Sequence, residues 1–150
     1  MATKKQIDDF LEERVLAVAG VSRTGKHFGN AVMDTLSTRG YTVYPVNPNA
    51  DTVQGRKCYR SLRDLPAPVG GVVAVVPPAQ TEQLVREAHE VGIARVWMQQ
   101  GAESQEAIRF CKEHSLDEVH GECILMFTEP TKFPHRLHRS VRKFFGRMPK

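Results

Sequence analysis

The chain has 150 residues, the size of one domain around one continuous core and too few for two ordinary ones. A hydrophobic fraction of 41% and a charged fraction of 25% exclude a fibrous or wholly disordered chain. The net charge of +4 is unevenly placed: residues 1–130 carry 14 Lys and Arg against 17 Asp and Glu, whereas residues 131–150 carry 7 basic residues and no acid, which argues against attraction of nucleic acid by the whole surface.

In chain order, the N-terminal MATKKQIDDFLEER lacks the apolar run of a signal peptide, and no later stretch approaches the ~20 apolar residues of a membrane span, so a cytoplasmic protein is expected. Val15–Ala19 reads as a buried strand ending at Gly20, and 30–39 as a helix stopped by Gly40. Tyr41–Val46 is a second strand, ended by Asn47 and Pro48. The longer segment 49–67 has room for a short edge strand near 57–59 and one helical turn capped by Ser61. Gly71–Val76 is a third strand, ended by Pro77 and Pro78, and 80–90 a helix before Gly92. A strand at 94–98 runs into Gln99, Gln100 and Gly101; a helix at 104–114 has a serine cap; a weaker strand covers 117–120. Trp97 and Met98 are expected in the core. Strands alternating with helices imply an α/β fold, an open, mostly parallel sheet with helices on both faces.

Ligands of such sheets bind beyond the carboxyl ends of the strands, where strand order reverses. The segment after the first strand, Gly20-Val21-Ser22-Arg23-Thr24-Gly25-Lys26-His27-Phe28-Gly29-Asn30, is rich in small residues and leads directly into a helix. Small residues admit a ligand close to the backbone, the helix start offers unpaired N–H groups, and Arg23 and Lys26 add full charges, a combination suited to phosphate. It is neither a P-loop nor a regular GxGxxG. Asn47 and Pro48 stand where NAD would call for an acidic residue, so NAD is disfavoured, while Arg56 or Lys57 could meet the extra phosphate of NADP. Cys58, Cys111 and Cys123 form no CxxC pair, and the pairs His120/Cys123 and His135/His138 lack further ligands nearby, so reduced thiols and no metal are expected. No catalytic series of Ser, His and Asp emerges.

Taken together, VAGVSR (18–23), YPVNP (44–48), GRKCYRSLRDLP (55–66), VVPP (75–78), VWMQQG (96–101) and GEC (121–123) resemble the CoA-binding domain family, the module found in the alpha subunit of succinyl-CoA synthetase and in nucleoside-diphosphate-forming acyl-CoA synthetases. The resemblance spans residues 15 to about 125 and implies a Rossmann-like fold of about five strands, residues 1–130, with CoA or acyl-CoA as ligand. It implies phosphate contacts at Gly20, Val21, Ser22, Arg23 and Lys26, flanking contacts at Asn47, Pro48 and Pro77, with Gln99 and Gly101 on the neighbouring turn; Arg56 is a further cationic candidate. Cys123 is implied toward the thiol end of the ligand. The synthetases also carry a phosphohistidine and a nucleotide-grasping region in other domains, so a binding or regulatory module, without ligation, is the expected function. An NADP-dependent oxidoreductase or redox sensor is the alternative.

Residues 131–150 form the second unit. Pro134 can open a basic amphipathic helix with Leu137, Val141, Phe144 and Phe145 on one side. It is expected to dock on its own body or on a sister subunit in a homo-oligomer; an anionic membrane surface and nucleic acid are the competing partners.

Overall fold

A computed structural model describes residues 2–128. The helix expected from Pro134 and the extension 131–150 lie outside them. The architecture is α/β and Rossmann-like: β1 (Val15–Ala19), β2 (Thr42–Val46), β5 (Gly71–Ala74), β6 (Arg95–Gln99) and β7 (Asp117–Glu122) form an all-parallel sheet in the order β2-β1-β5-β6-β7. Alternation along each strand divides the core. On β1, Leu16 and Val18 face a layer made with Val73, Trp97 and Val119, whereas Ala17 and Ala19 face the opposite layer with Val72, Ala74, Val96 and Met98.

The first layer is closed by α1 (Lys4–Glu12), α2 (Phe28–Thr38) and the short α5 (Leu125–Thr128), the second by α3 (Pro78–Glu90) and α4 (Gln105–Glu113). Trp97 is fully buried, with Phe10 and Phe127 edge-on at ring-centroid distances of 5.4 and 5.9 Å, and its indole N–H donates to the Glu122 carbonyl.

Several elements differ from expectation for local reasons. The N-terminal segment, read only for a leader, is a helix: Thr3 Oγ1 accepts from Gln6 N–H, Gln6 Oε1 accepts from Thr3 N–H, and Ile7, Phe10 and Leu11 are buried. Helix α2 begins two residues earlier than the pattern suggests because His27 caps it, Nδ1 accepting from Gly29 N–H. Helix α3 likewise starts at Pro78, since a proline at the first position forfeits no helical hydrogen bond. The edge strand expected near 57–59 is divided. Arg56–Lys57 (β4) pairs antiparallel with Thr52–Val53 (β3), while Tyr59 forms a separate parallel bridge to Val46 at the edge of β2. Ser61 caps a single 3-10 turn, Leu62–Asp64, as read. Among the described residues no helix is long and apolar enough to cross a membrane.

Candidate functional site

The chain leaves β1 toward β2 on one side and later crosses to β5 on the other, so the order reverses at β1 and opens a crevice at the carboxyl ends of β1 and β5. Two glycines let three segments converge there. Gly20 has φ +107°, and a Cβ on it would collide with the Val75 carbonyl at the exit of β5; a Cβ on Gly29 would collide with the Gly20 carbonyl. The start of α2 therefore lies directly against the exit of β1.

The intervening loop is ordered by side chains from α2 and from the turn after β2, and by its own hydrogen bonds. Asn30, only 2% exposed, accepts from Ser22 N–H at 2.8 Å through Oδ1 and donates from Nδ2 to the Ser22 carbonyl at 3.0 Å. Asn47 Nδ2 donates to the Val21 carbonyl at 2.8 Å. Within the loop, Thr24 N–H donates to Ser22 Oγ and Gly25 N–H to the Ser22 carbonyl. The backbone N–H groups of Arg23, Lys26, His27 and Phe28 have no partner among the described residues, nor do the exposed side chains of Arg23 and Lys26. Phe28, 45% exposed, adds an apolar surface beside these donors.

The other expected residues are spread along the same edge. Asn47 and the exposed Pro48 follow β2, and the exposed Pro77 follows β5 as the cap of α3. Gly101, exposed with φ +96°, lies beyond β6. Gln99 is 4% exposed, and its Oε1 accepts from Ile124 N–H at 3.0 Å, so its carboxamide braces the turn after β7. Arg56 is not brought to the loop. Its guanidinium donates to Ser37 Oγ at 3.0 Å and lies 4.0 Å from Asp34, further along α2 from its N-terminus. Cys123 follows β7, three inter-strand spacings, about 14 Å, from β1, and is half-buried. Burial raises the Cys58 thiol pKa and pushes Cys111 up to about 12, which keeps both protonated at neutral pH. No group of three or more His, Cys, Asp or Glu suited to a metal ion occurs among the described residues. Asn30 is read in the sequence only as the end of the loop and the start of the helix, and Gln54 is not singled out, because neither belongs to a phosphate motif; the signal available was a polar residue on the inward face of α2.

Residues 14–129 match the family model described as CoA binding domain. The chain belongs to that family. Among its relatives, the ADP-forming acetate–CoA ligase II subunit alpha of Pyrococcus furiosus is 36% identical over 91 residues, which are 60% of this chain and 20% of that subunit. The chain thus spans about a fifth of the length of that curated relative. Among solved structures, a conserved hypothetical protein from Pyrococcus furiosus is 42% identical with a TM-score of 0.73, the match covering 77% of this chain and 99% of that one. A hypothetical protein from Pyrococcus horikoshii OT3 is 33% identical with a TM-score of 0.76, over 83% and 89% of the two chains. The family domain in this chain thus carries the β1–α2 loop and all five parallel strands.

Proposed function

We propose that this protein binds CoA or acyl-CoA along the carboxyl edge of its sheet, with the ligand's phosphates at the Gly20–Phe28 loop, and serves as a binding or regulatory module. The observation that carries the reading is the conjunction, at the point of strand reversal, of the N-terminus of α2 with four backbone N–H groups and two cations that have no partner among the described residues. CoA is long and bears a pyrophosphate and a 3′-phosphate at one end, which suits charge concentrated at β1 and neutral turns along the rest of the edge. Pro48, Pro77 and Gly101 lie on those turns, and Cys123 stands at the far end, where the pantetheine thiol would arrive. Membership of the CoA binding domain family supports the same ligand.

A thermal-shift panel with CoA, acetyl-CoA, NAD, NADP and ATP tests the reading. A ligand at a hundred times its Kd contributes about 2.7 kcal/mol to the folded state, a Tm increase of roughly 5–10 °C for a chain of this size. CoA and acetyl-CoA are expected to give that increase. Stabilisation by NADP and none by CoA would overturn the reading in favour of an NADP protein.

A further inference from the structure

The ligand loop is held from outside by a chain of side-chain amides, and the directions of its hydrogen bonds are fixed consistently from both ends, by the Asp34 carboxylate at one and the Ser22 peptide at the other. Asp34, on the exposed side of α2, can only accept when ionised, so it selects the NH2 group of Gln54, whose Nε2 donates to the two carboxylate oxygens at 3.2 and 3.3 Å. That leaves Gln54 Oε1 as an acceptor, filled by Asn30 Nδ2 at 2.6 Å. With its NH2 group shared between Gln54 and the Ser22 carbonyl, Asn30 can present only Oδ1 to the Ser22 N–H. Gln54 sits at the tip of the β3–β4 hairpin with φ +51°, followed by Gly55 at φ +78°, a turn that brings its side chain over both α2 and Gly25. The hairpin thus reaches the ligand loop through one side chain.

We infer that Asp34, Gln54 and Asn30 form a positioning relay that fixes the Ser22 peptide, and so aims the unpaired N–H groups of Arg23 and the following turn at the ligand's phosphates. The inference rests on the CoA reading above. Without the relay the loop retains its sequence, glycines and cations, but the donors must be ordered by the ligand itself, at the expense of affinity. Asn30 and Gln54 act through Ser22 and are positioning residues.

The test measures CoA affinity by titration calorimetry for wild type, Asn30→Ala, Gln54→Leu, Asp34→Asn and the Asn30→Ala/Gln54→Leu double variant. Asn30→Ala is expected to weaken CoA about tenfold, Gln54→Leu and Asp34→Asn about threefold each. Gln54 and Asp34 are exposed, so their variants are expected to fold with Tm within about 2 °C of wild type, which keeps the test valid even if Asn30→Ala folds poorly. Because the residues act in series, the double variant is expected to bind no more weakly than Asn30→Ala alone. The Ser22 amide resonance should shift in the unliganded Gln54→Leu and Asp34→Asn proteins, a readout that a loss of stability alone would not move. Wild-type binding of CoA that Gln54→Leu and Asp34→Asn retain within about twofold would overturn the relay. Failure of wild type itself to bind CoA would instead overturn the ligand reading.

Discussion

Among the described residues Arg23 and Lys26 are exposed cations without a side-chain partner, unlike Arg56, Arg60 and Arg63, which are engaged with Asp34, Asp51 and the pair Glu87 and Glu90. Cations left unpaired beside unpaired N–H groups are available to an anion. Arg23→Ala and Lys26→Ala are each expected to weaken CoA binding about tenfold, with a salt dependence lower than that of wild type, read by titration at two ionic strengths. The cysteines separate by environment. Burial favours the neutral thiol of Cys58 and Cys111, so near neutral pH their reactive thiolate is scarce and poorly accessible, and the thiolate of Cys111 becomes abundant only as pH rises through about 12. Iodoacetamide treatment of the native protein at pH 7.5 (an assay condition, within the roughly neutral range where a free thiol begins to ionise) is therefore expected to modify Cys123 first, as located by peptide mass spectrometry. Labelling of Cys111 at an equal rate would contradict its burial.

Helix α1 shows how a short element is held by both ends of its physics. Its capping box satisfies two backbone groups, and its apolar residues at i, i+3 and i+4 bury against the layer that contains Trp97. Thr3→Ala removes the cap and is expected to cost about 1 kcal/mol, a Tm decrease of roughly 2–4 °C, without altering CoA affinity. The loop after β1 behaves differently. Gly20→Ala would place a methyl group against the Val75 carbonyl at a backbone angle that disfavours a side chain, so β1, β5 and α2 could not keep their approach. That variant is expected to lose CoA binding and several degrees of Tm together, in contrast to Thr3→Ala.

For the whole molecule, one parallel sheet covered on both faces explains why the strands were legible: buried on two sides, they appear as the continuous apolar runs 15–19 and 71–74. Trp97, at the centre of β6, joins α1, α5 and the sheet in one layer, and Trp97→Ala is expected to cost about 3–5 kcal/mol, measured by chemical denaturation. The candidate loop was legible as well, because small residues between a strand and a helix with two cations form a local pattern. Arg56 and Gln99 show the limit of such patterns: one is turned to Ser37 and the other to Ile124, partners 19 and 25 residues away in the chain.

The amino-acid sequence by itself determined the alternation of strand and helix, the segments that form the sheet and the loop that closes β1, since each depends on neighbours within a few residues, and it showed the family through the order of its motifs along residues 14–129. Only the tertiary structure decided that the hairpin tip at Gln54 meets Asn30, that Asn47 holds Val21, and that Gly29 must lie against Gly20. The first two contacts join residues 24 and 26 positions apart through directional hydrogen bonds, and the third is a close packing of backbone against backbone. Their geometry exists only once the sheet has brought the carboxyl ends of its strands to one edge.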